Sequence, residues 1–137
     1  MSEAKPLPEV DETSQPYWEA ARQGQLVLPR CGKTGRYFMY PTPWSPFDYS
    51  AQVTWEQVSG RGHIKSFSVV HQAPYEAYAA DVPYVVAVIR LEEGAQLMAN
   101  VLNCDPLSLQ VGDAVRVVFE ERAGGFKIPQ FELATSK

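Results

Sequence analysis

Arg30-Cys31-Gly32-Lys33-Thr34-Gly35-Arg36-Tyr37, followed after a short gap by Pro41-Thr42-Pro43-Trp44-Ser45-Pro46-Phe47-Asp48, is the stretch that decides the fold of this chain. Its spacing is that of two metal knuckles, each of the form C-x-x-C and roughly ten residues apart, as in a zinc ribbon. The first knuckle falls on Cys31 and Thr34 and the second on Ser45 and Asp48, with Gly35 closing the first and Pro46 inside the second. Three of the four thiolates are gone. A hydroxyl is a poor zinc ligand, and one thiolate with one carboxylate does not close a tetrahedral structural site. The expectation is a ribbon that keeps its outline and holds no zinc. Cys31 then serves as a small buried hydrophobe. Tyr37, Phe38, Met39, Tyr40, Trp44, Phe47 and Tyr49 are the side chains available to hold the segment by packing, and burying each contributes ~1.5–3 kcal/mol.

Outward from this segment, the N-terminal side reads as an arm and a helix. Residues 1–13 are rich in Pro and Glu and form an N-terminal arm. Ser14-Gln15-Pro16 gives a capping residue followed by a proline in the first turn, and Gly24 stops the helix after about two turns. Tyr17 and Trp18 on that helix either pin it to the body or offer it to a partner. Gln25–Arg30 reads as a short strand leading into the first knuckle. Residues 14–50 are thus the helix and the metal-free ribbon.

The C-terminal side reads as a run of strands. Val53–Val58 is ended by Ser59-Gly60-Arg61-Gly62, read as a hairpin turn rather than a phosphate cradle. His63–His71, Pro83–Leu91, Gln96–Leu102, Ala114–Glu121 and Phe126–Leu133 follow, separated by a Pro- and Tyr-bearing loop over 72–82, by Glu92-Glu93-Gly94, by the loop 103–110 with Val111-Gly112-Asp113, and by residues 122–125. Pro83–Leu91 is almost continuously apolar, which marks a central strand. Short strands at this regular spacing predict a small antiparallel barrel or sandwich over 51–137. The fold class is therefore mostly β, with an N-terminal helix and a degenerate zinc-ribbon segment before the run of strands.

Composition narrows the function. The chain is 45% hydrophobic and 20% charged, which marks a globular domain rather than a disordered one. Its formal net charge of −4 disfavours a polyanionic partner, since nucleic-acid affinity rests on neutralising phosphates. Single-stranded nucleic-acid binding, a common use of such barrels, is the alternative function kept in view. No apolar run approaches the ~18 residues of a membrane span. The polar start Met1-Ser2-Glu3-Ala4-Lys5-Pro6 is unlike a secretory leader, so a cytoplasmic protein is expected. Cys31 and Cys104 stand apart and read as free thiols. A nucleophilic role for either would need His63 or His71 beside it.

The order of these motifs resembles the domain-of-unknown-function-35 family of small proteins, and the resemblance implies a rubredoxin-like zinc ribbon, degenerate here, followed by a five-stranded OB-fold barrel. The resemblance runs through Tyr17-Trp18-Glu19-Ala20, Gly24-Gln25-Leu26, Arg30-Cys31, Gly35-Arg36-Tyr37, Val58-Ser59-Gly60-Arg61-Gly62, Val82-Pro83-Tyr84-Val85-Val86-Ala87, Val111-Gly112-Asp113-Ala114-Val115 and Ile128-Pro129-Gln130-Phe131. The missing knuckle thiolates are the departure. The resemblance implies a non-catalytic accessory subunit that binds a thiolase-fold enzyme, an aldolase or an acyltransferase, and helps to hold or channel an acyl-CoA in lipid or steroid side-chain metabolism. It implies a hetero-oligomer and no tightly bound cofactor of the chain's own.

Candidate contacts follow from that expectation. Arg36, Arg61 and Lys65 are candidates for the CoA phosphates, although isolated basic side chains are commonly just solvated. His71, at a strand end, is the polar group that would line a shared channel. Trp44 and Tyr84 are candidates for the acyl or partner surface, with Phe47 and Tyr49 divided between core and interface. No residues form a catalytic constellation in the sequence, so the chain is read as an enzyme subunit rather than an enzyme by itself.

Overall fold

A computed structural model of the chain describes residues 10–72 and 82–134. Helix α1 spans Gln15–Arg22. Its start is closed by a reciprocal pair: Ser14 N–H donates to Asp11 Oδ1 (2.8 Å), and Asp11 N–H donates to Ser14 Oγ (3.2 Å). Ser14 therefore works with Asp11 rather than capping the helix by its own side chain. Gly24, at φ +75°, ends the helix as the sequence predicts. Tyr17 and Ala21 are buried, and Trp18 sits edge-on to Tyr17 at 4.8 Å. The helix is pinned by its aromatic face.

Strands β1 (Val27–Cys31) and β2 (Val53–Gln57) form a two-stranded antiparallel sheet, with Cys31 opposite Val53 and Val27 opposite Gln57. The Val53 strand therefore belongs to the ribbon and not to the barrel, and the boundary expected at residue 51 falls inside the ribbon's own strand pair. The Ser59-Gly60-Arg61-Gly62 turn is likewise not a hairpin, because the strands on either side lie in different sheets. It is the passage from ribbon to barrel.

The barrel is closed in the order β3-β4-β5-β7-β6. Its strands are β3 (Arg61–Val70), β4 (Tyr84–Leu91), β5 (Gln96–Leu102), β6 (Ala114–Glu121) and β7 (Lys127–Leu133). All pairs are antiparallel except β5–β7. Alternation along β4 places Val85, Ala87, Ile89 and Leu91 inside, facing Leu97, Ala99 and Val101 of β5. The apolar reading of this segment as central holds, since β4 is bonded on both sides. Ile64, Val115 and Phe131 complete the interior. Tyr17, Leu26, Leu28 and Val58 join the same core, so helix, ribbon and barrel share one hydrophobic centre. The segment 73–81, within the loop expected at 72–82, lies outside the described residues. No helix among the described residues is long and apolar enough to cross a membrane.

Two local features hold the barrel closed. At the parallel joint, backbone pairing covers only Val101–Phe131 and Leu102–Glu132. Beyond it the Gln130 side chain takes over the ladder: its Oε1 accepts from Asn100 N (2.7 Å) and its Nε2 donates to Asn100 Oδ1 (3.1 Å). Asn100 in turn donates to the Val85 carbonyl at 2.8 Å. At the opposite seam β3 runs between β4 and β6, and Gly62 lies so close to β4 that a Cβ there would meet the Arg90 carbonyl.

Gly62→Ala is expected to destabilise the protein by about 1–3 kcal/mol through overpacking against backbone, read as a lower denaturation midpoint. Gln130→Ala leaves the half-buried Asn100 N–H without its acceptor and is expected to cost ~1–3 kcal/mol. Its urea midpoint should fall at constant slope, and an unchanged midpoint would remove Gln130 from the account of barrel closure.

Candidate functional site

The ribbon, the helix and one face of the barrel enclose a groove of about 650 Å3. Helix α1 contributes Tyr17 and Trp18, the ribbon contributes Met39, Tyr40 and Pro41, β4 contributes Tyr84 and Val86, and β5 contributes Met98. The Asn100–Gln130 amide pair lies among them, with Gln130 buried. This is the make-up of a binding cleft: mostly apolar walls with a few fixed polar groups. At its edge Tyr40 is 60% and Met98 58% exposed, so that two large apolar side chains stand together at one rim.

Of the residues singled out from the sequence, Tyr84 lines this groove. Trp44 is 52% exposed on the ribbon and does not line it. The three basic candidates are each engaged separately. Arg36 lies over the Phe47 ring at 3.9 Å. Arg61 pairs with Glu92 at 3.4 Å. Lys65 stands at the β3 bulge, where its Nζ can donate to the Gln96 side-chain oxygen at 2.8 Å once that amide is turned to face it. His71 is exposed just past the end of β3. Met39, Tyr40, Met98, Asn100 and Gln130 were not picked out as site residues. The available signal was the pair of amides set into otherwise apolar strands.

The knuckle positions do come together. Cys31 and Ser45 are fully buried. Cys31 Sγ accepts from Thr34 N (3.4 Å) and donates to Asp48 Oδ1 (3.7 Å). Burial pushes the Cys31 thiol up, but hydrogen bonds from Ser45 and Thr34 together outweigh it and leave the group below its ordinary value. Hydrogen bonds from the Ser50 backbone and hydroxyl hold the Asp48 carboxyl below the usual carboxylate range. One sulfur, one carboxylate and two hydroxyls do not fit a structural zinc ion. Among the described residues no cluster of three His, Cys, Asp or Glu side chains is placed to hold a metal.

The packing expected of the ribbon aromatics is divided. Phe38 is buried and meets Phe47 edge-on at 6.1 Å, whereas Tyr40, Trp44 and Tyr49 face outward. Neither cysteine is held by a histidine: Cys31 is bonded within the knuckles, and the Cys104 thiol donates to the Val101 carbonyl at 3.6 Å.

Two family comparisons fall on these two parts. The ChsH2 rubredoxin-like zinc ribbon domain matches residues 18–44, stopping just short of the second knuckle, and the ChsH2 C-terminal OB-fold domain matches residues 55–120. A probable enoyl-CoA hydratase alpha subunit of Thermomonospora curvata is 30% identical over 95% of this chain and 40% of that protein. A DUF35 domain-containing scaffold protein of Methanothermobacter thermautotrophicus is 43% identical over 46% of this chain and 47% of that protein. A 3-oxo-4,17-pregnadiene-20-carboxyl-CoA hydratase alpha subunit of Mycobacterium tuberculosis is 31% identical over 75% of this chain and 32% of that protein. The matches thus span less than half the length of these curated relatives. Among solved structures, a chain of the Ltp2-ChsH2(DUF35) aldolase superposes with a TM-score of 0.84 at 29% identity, over 94% of this chain and 100% of that one. The ribbon match, the OB-fold match and this superposition agree, and the chain belongs to the DUF35 family of rubredoxin-like zinc-ribbon and OB-fold proteins.

Proposed function

We propose that this chain is a non-catalytic accessory subunit that docks on an aldolase-type, thiolase-fold enzyme and helps to hold an acyl-CoA at the shared boundary. The observation that carries the reading is the exposed apolar rim of Tyr40 and Met98 over the 650 Å3 groove. Exposed aromatic and methionine side chains are what a partner interface collects. The superposition on a chain of an aldolase complex supports the same reading, and so do relatives whose names carry CoA-thioester chemistry.

The chemistry is assigned to the partner. Catalysis at the groove would need a titratable group free to act on a ligand; the Asp11 carboxylate in its lining already accepts from Ser14 N–H, and the polar floor is an amide pair satisfied by internal bonds. An amide floor suits the positioning of a ligand's polar atom, and the apolar walls suit an acyl chain or a partner side chain. The names of the similar proteins carry hydration of CoA thioesters, one of them a steroid, and aldol chemistry, and an aldol step on an acyl-CoA is the partner reaction proposed here.

Co-expression with a thiolase-fold aldolase subunit from the same organism should give one shared peak in size-exclusion chromatography, with no turnover by the chain alone. Tyr40→Ser together with Met98→Glu should leave the melting temperature close to wild type. The double variant should weaken association at least tenfold, about 1.4 kcal/mol. Separate elution of the two wild-type proteins would overturn the reading. Full-affinity binding by the double variant would move the interface off this rim.

A further inference from the structure

We propose that the ribbon of this chain is closed by a hydrogen-bonded cluster in the place of a zinc ion, so that its knuckles fold and stay folded without metal while the four ligand positions keep their spatial arrangement. Each knuckle is tied within itself. In the first, Gly35 N–H donates to the Cys31 carbonyl and Cys31 N–H to the Arg36 carbonyl, both at 2.8 Å, beside the Thr34 N–H that reaches Cys31 Sγ. In the second, Ser45 Oγ accepts from Phe47 N (3.1 Å), Tyr49 N–H donates to the Ser45 carbonyl (2.9 Å), and Asp48 Oδ1 accepts from Ser50 N (3.1 Å) and Ser50 Oγ (2.9 Å).

The two knuckles are then joined to each other. Cys31 Sγ donates to Asp48 Oδ1 across the position between them, and Gly32 N–H donates to the Gln52 carbonyl at 2.6 Å. A zinc ion crosslinks four side chains at one point; here the same turns are linked pairwise. Asp48 Oδ2 is the one buried side-chain oxygen among the described residues without a hydrogen-bond partner. One carboxylate and one sulfur still fall two strong donors short of a tetrahedral site. In small zinc-dependent domains removal of the metal unfolds the protein, because binding energy is folding energy. A ribbon closed by its own hydrogen bonds is free of that coupling.

The test uses the purified full chain. Elemental analysis for zinc and other transition metals should give far less than one equivalent, and a strong chelator should leave the melting temperature unchanged. Ser45→Ala, which removes the buried hydroxyl, should lower the melting temperature by about 3–6 °C for a chain of this size. Thr34→Cys, Ser45→Cys and Asp48→Cys combined should bind one cobalt(II) ion with the visible d–d bands of a four-thiolate tetrahedral site, and should melt higher with zinc than without. A full equivalent of metal in the wild type, or a melting temperature that falls with chelator, overturns the proposal. So does an unmoved melting temperature in Ser45→Ala. A triple-cysteine variant that binds no cobalt, or that does not fold even with zinc, overturns the claim that the ligand arrangement is kept.

Discussion

Gly60 carries the chain from ribbon to barrel at φ +75°, and its carbonyl accepts from Val117 N at 2.7 Å while a Cβ at the same place would strike the Val117 side chain. Two residues earlier Val58 N–H donates to the Leu26 carbonyl (3.0 Å), and between them Ser59 is bound by Glu93 through both its N–H and its hydroxyl. The passage is thus fastened to β6 on one side and to the ribbon on the other. Because only a residue without a side chain fits there in a left-handed conformation, the orientation of ribbon against barrel is fixed at this point. The groove between Tyr40 and Met98 exists only because that orientation is held.

The shared core is what would let the ribbon do without a metal, as proposed above. A net hydrogen bond contributes ~0.5–1.5 kcal/mol, whereas a structural zinc ion in an isolated finger is worth about 10–16 kcal/mol. The bonds within the knuckles do not match that figure by themselves. They do not need to, because the ribbon is not isolated: Leu26 and Leu28 are buried in the same cluster as Ile64, Val85 and Phe131. Small folds depend on metal or disulfide staples when their own core is too small. Here β1 and β2 borrow the barrel's core, and the hydrogen bonds among Cys31, Asp48 and Ser50 have only to shape the turns.

The same division of labour shapes the functional surface. Phe38 and Phe47 face inward and stabilise the ribbon, with Arg36 laid over Phe47. Tyr40, Trp44 and Tyr49 leave more than half of their surface outside. A segment that retains exposed aromatic side chains on a rigid frame is suited to contact with a partner. The barrel adds a rigid amide floor, since Asn100 and Gln130 are held by each other and by Val85.

Much of this was legible in the chain itself. The spacing of Cys31, Thr34, Ser45 and Asp48 marked the two knuckles, because turn geometry is local and survives the loss of its ligands. Glycines at 24, 94 and 112 marked turns for the same reason, and the almost continuously apolar run Pro83–Leu91 marked a central strand. What sequence could not assign was which strand pairs with which. Val53–Gln57 has the composition of a barrel strand, yet it pairs with Val27–Cys31, a matter of long-range register that no local pattern encodes. The groove is also a product of tertiary structure, since Tyr17, Tyr40, Met98 and Gln130 lie far apart in the chain and meet only when the barrel closes. Local chemistry determined the turns, the strands and the unsuitability of the knuckles for zinc; the pairing of strands and the surface offered to a partner were decided by packing, because each depends on residues that sequence distance separates.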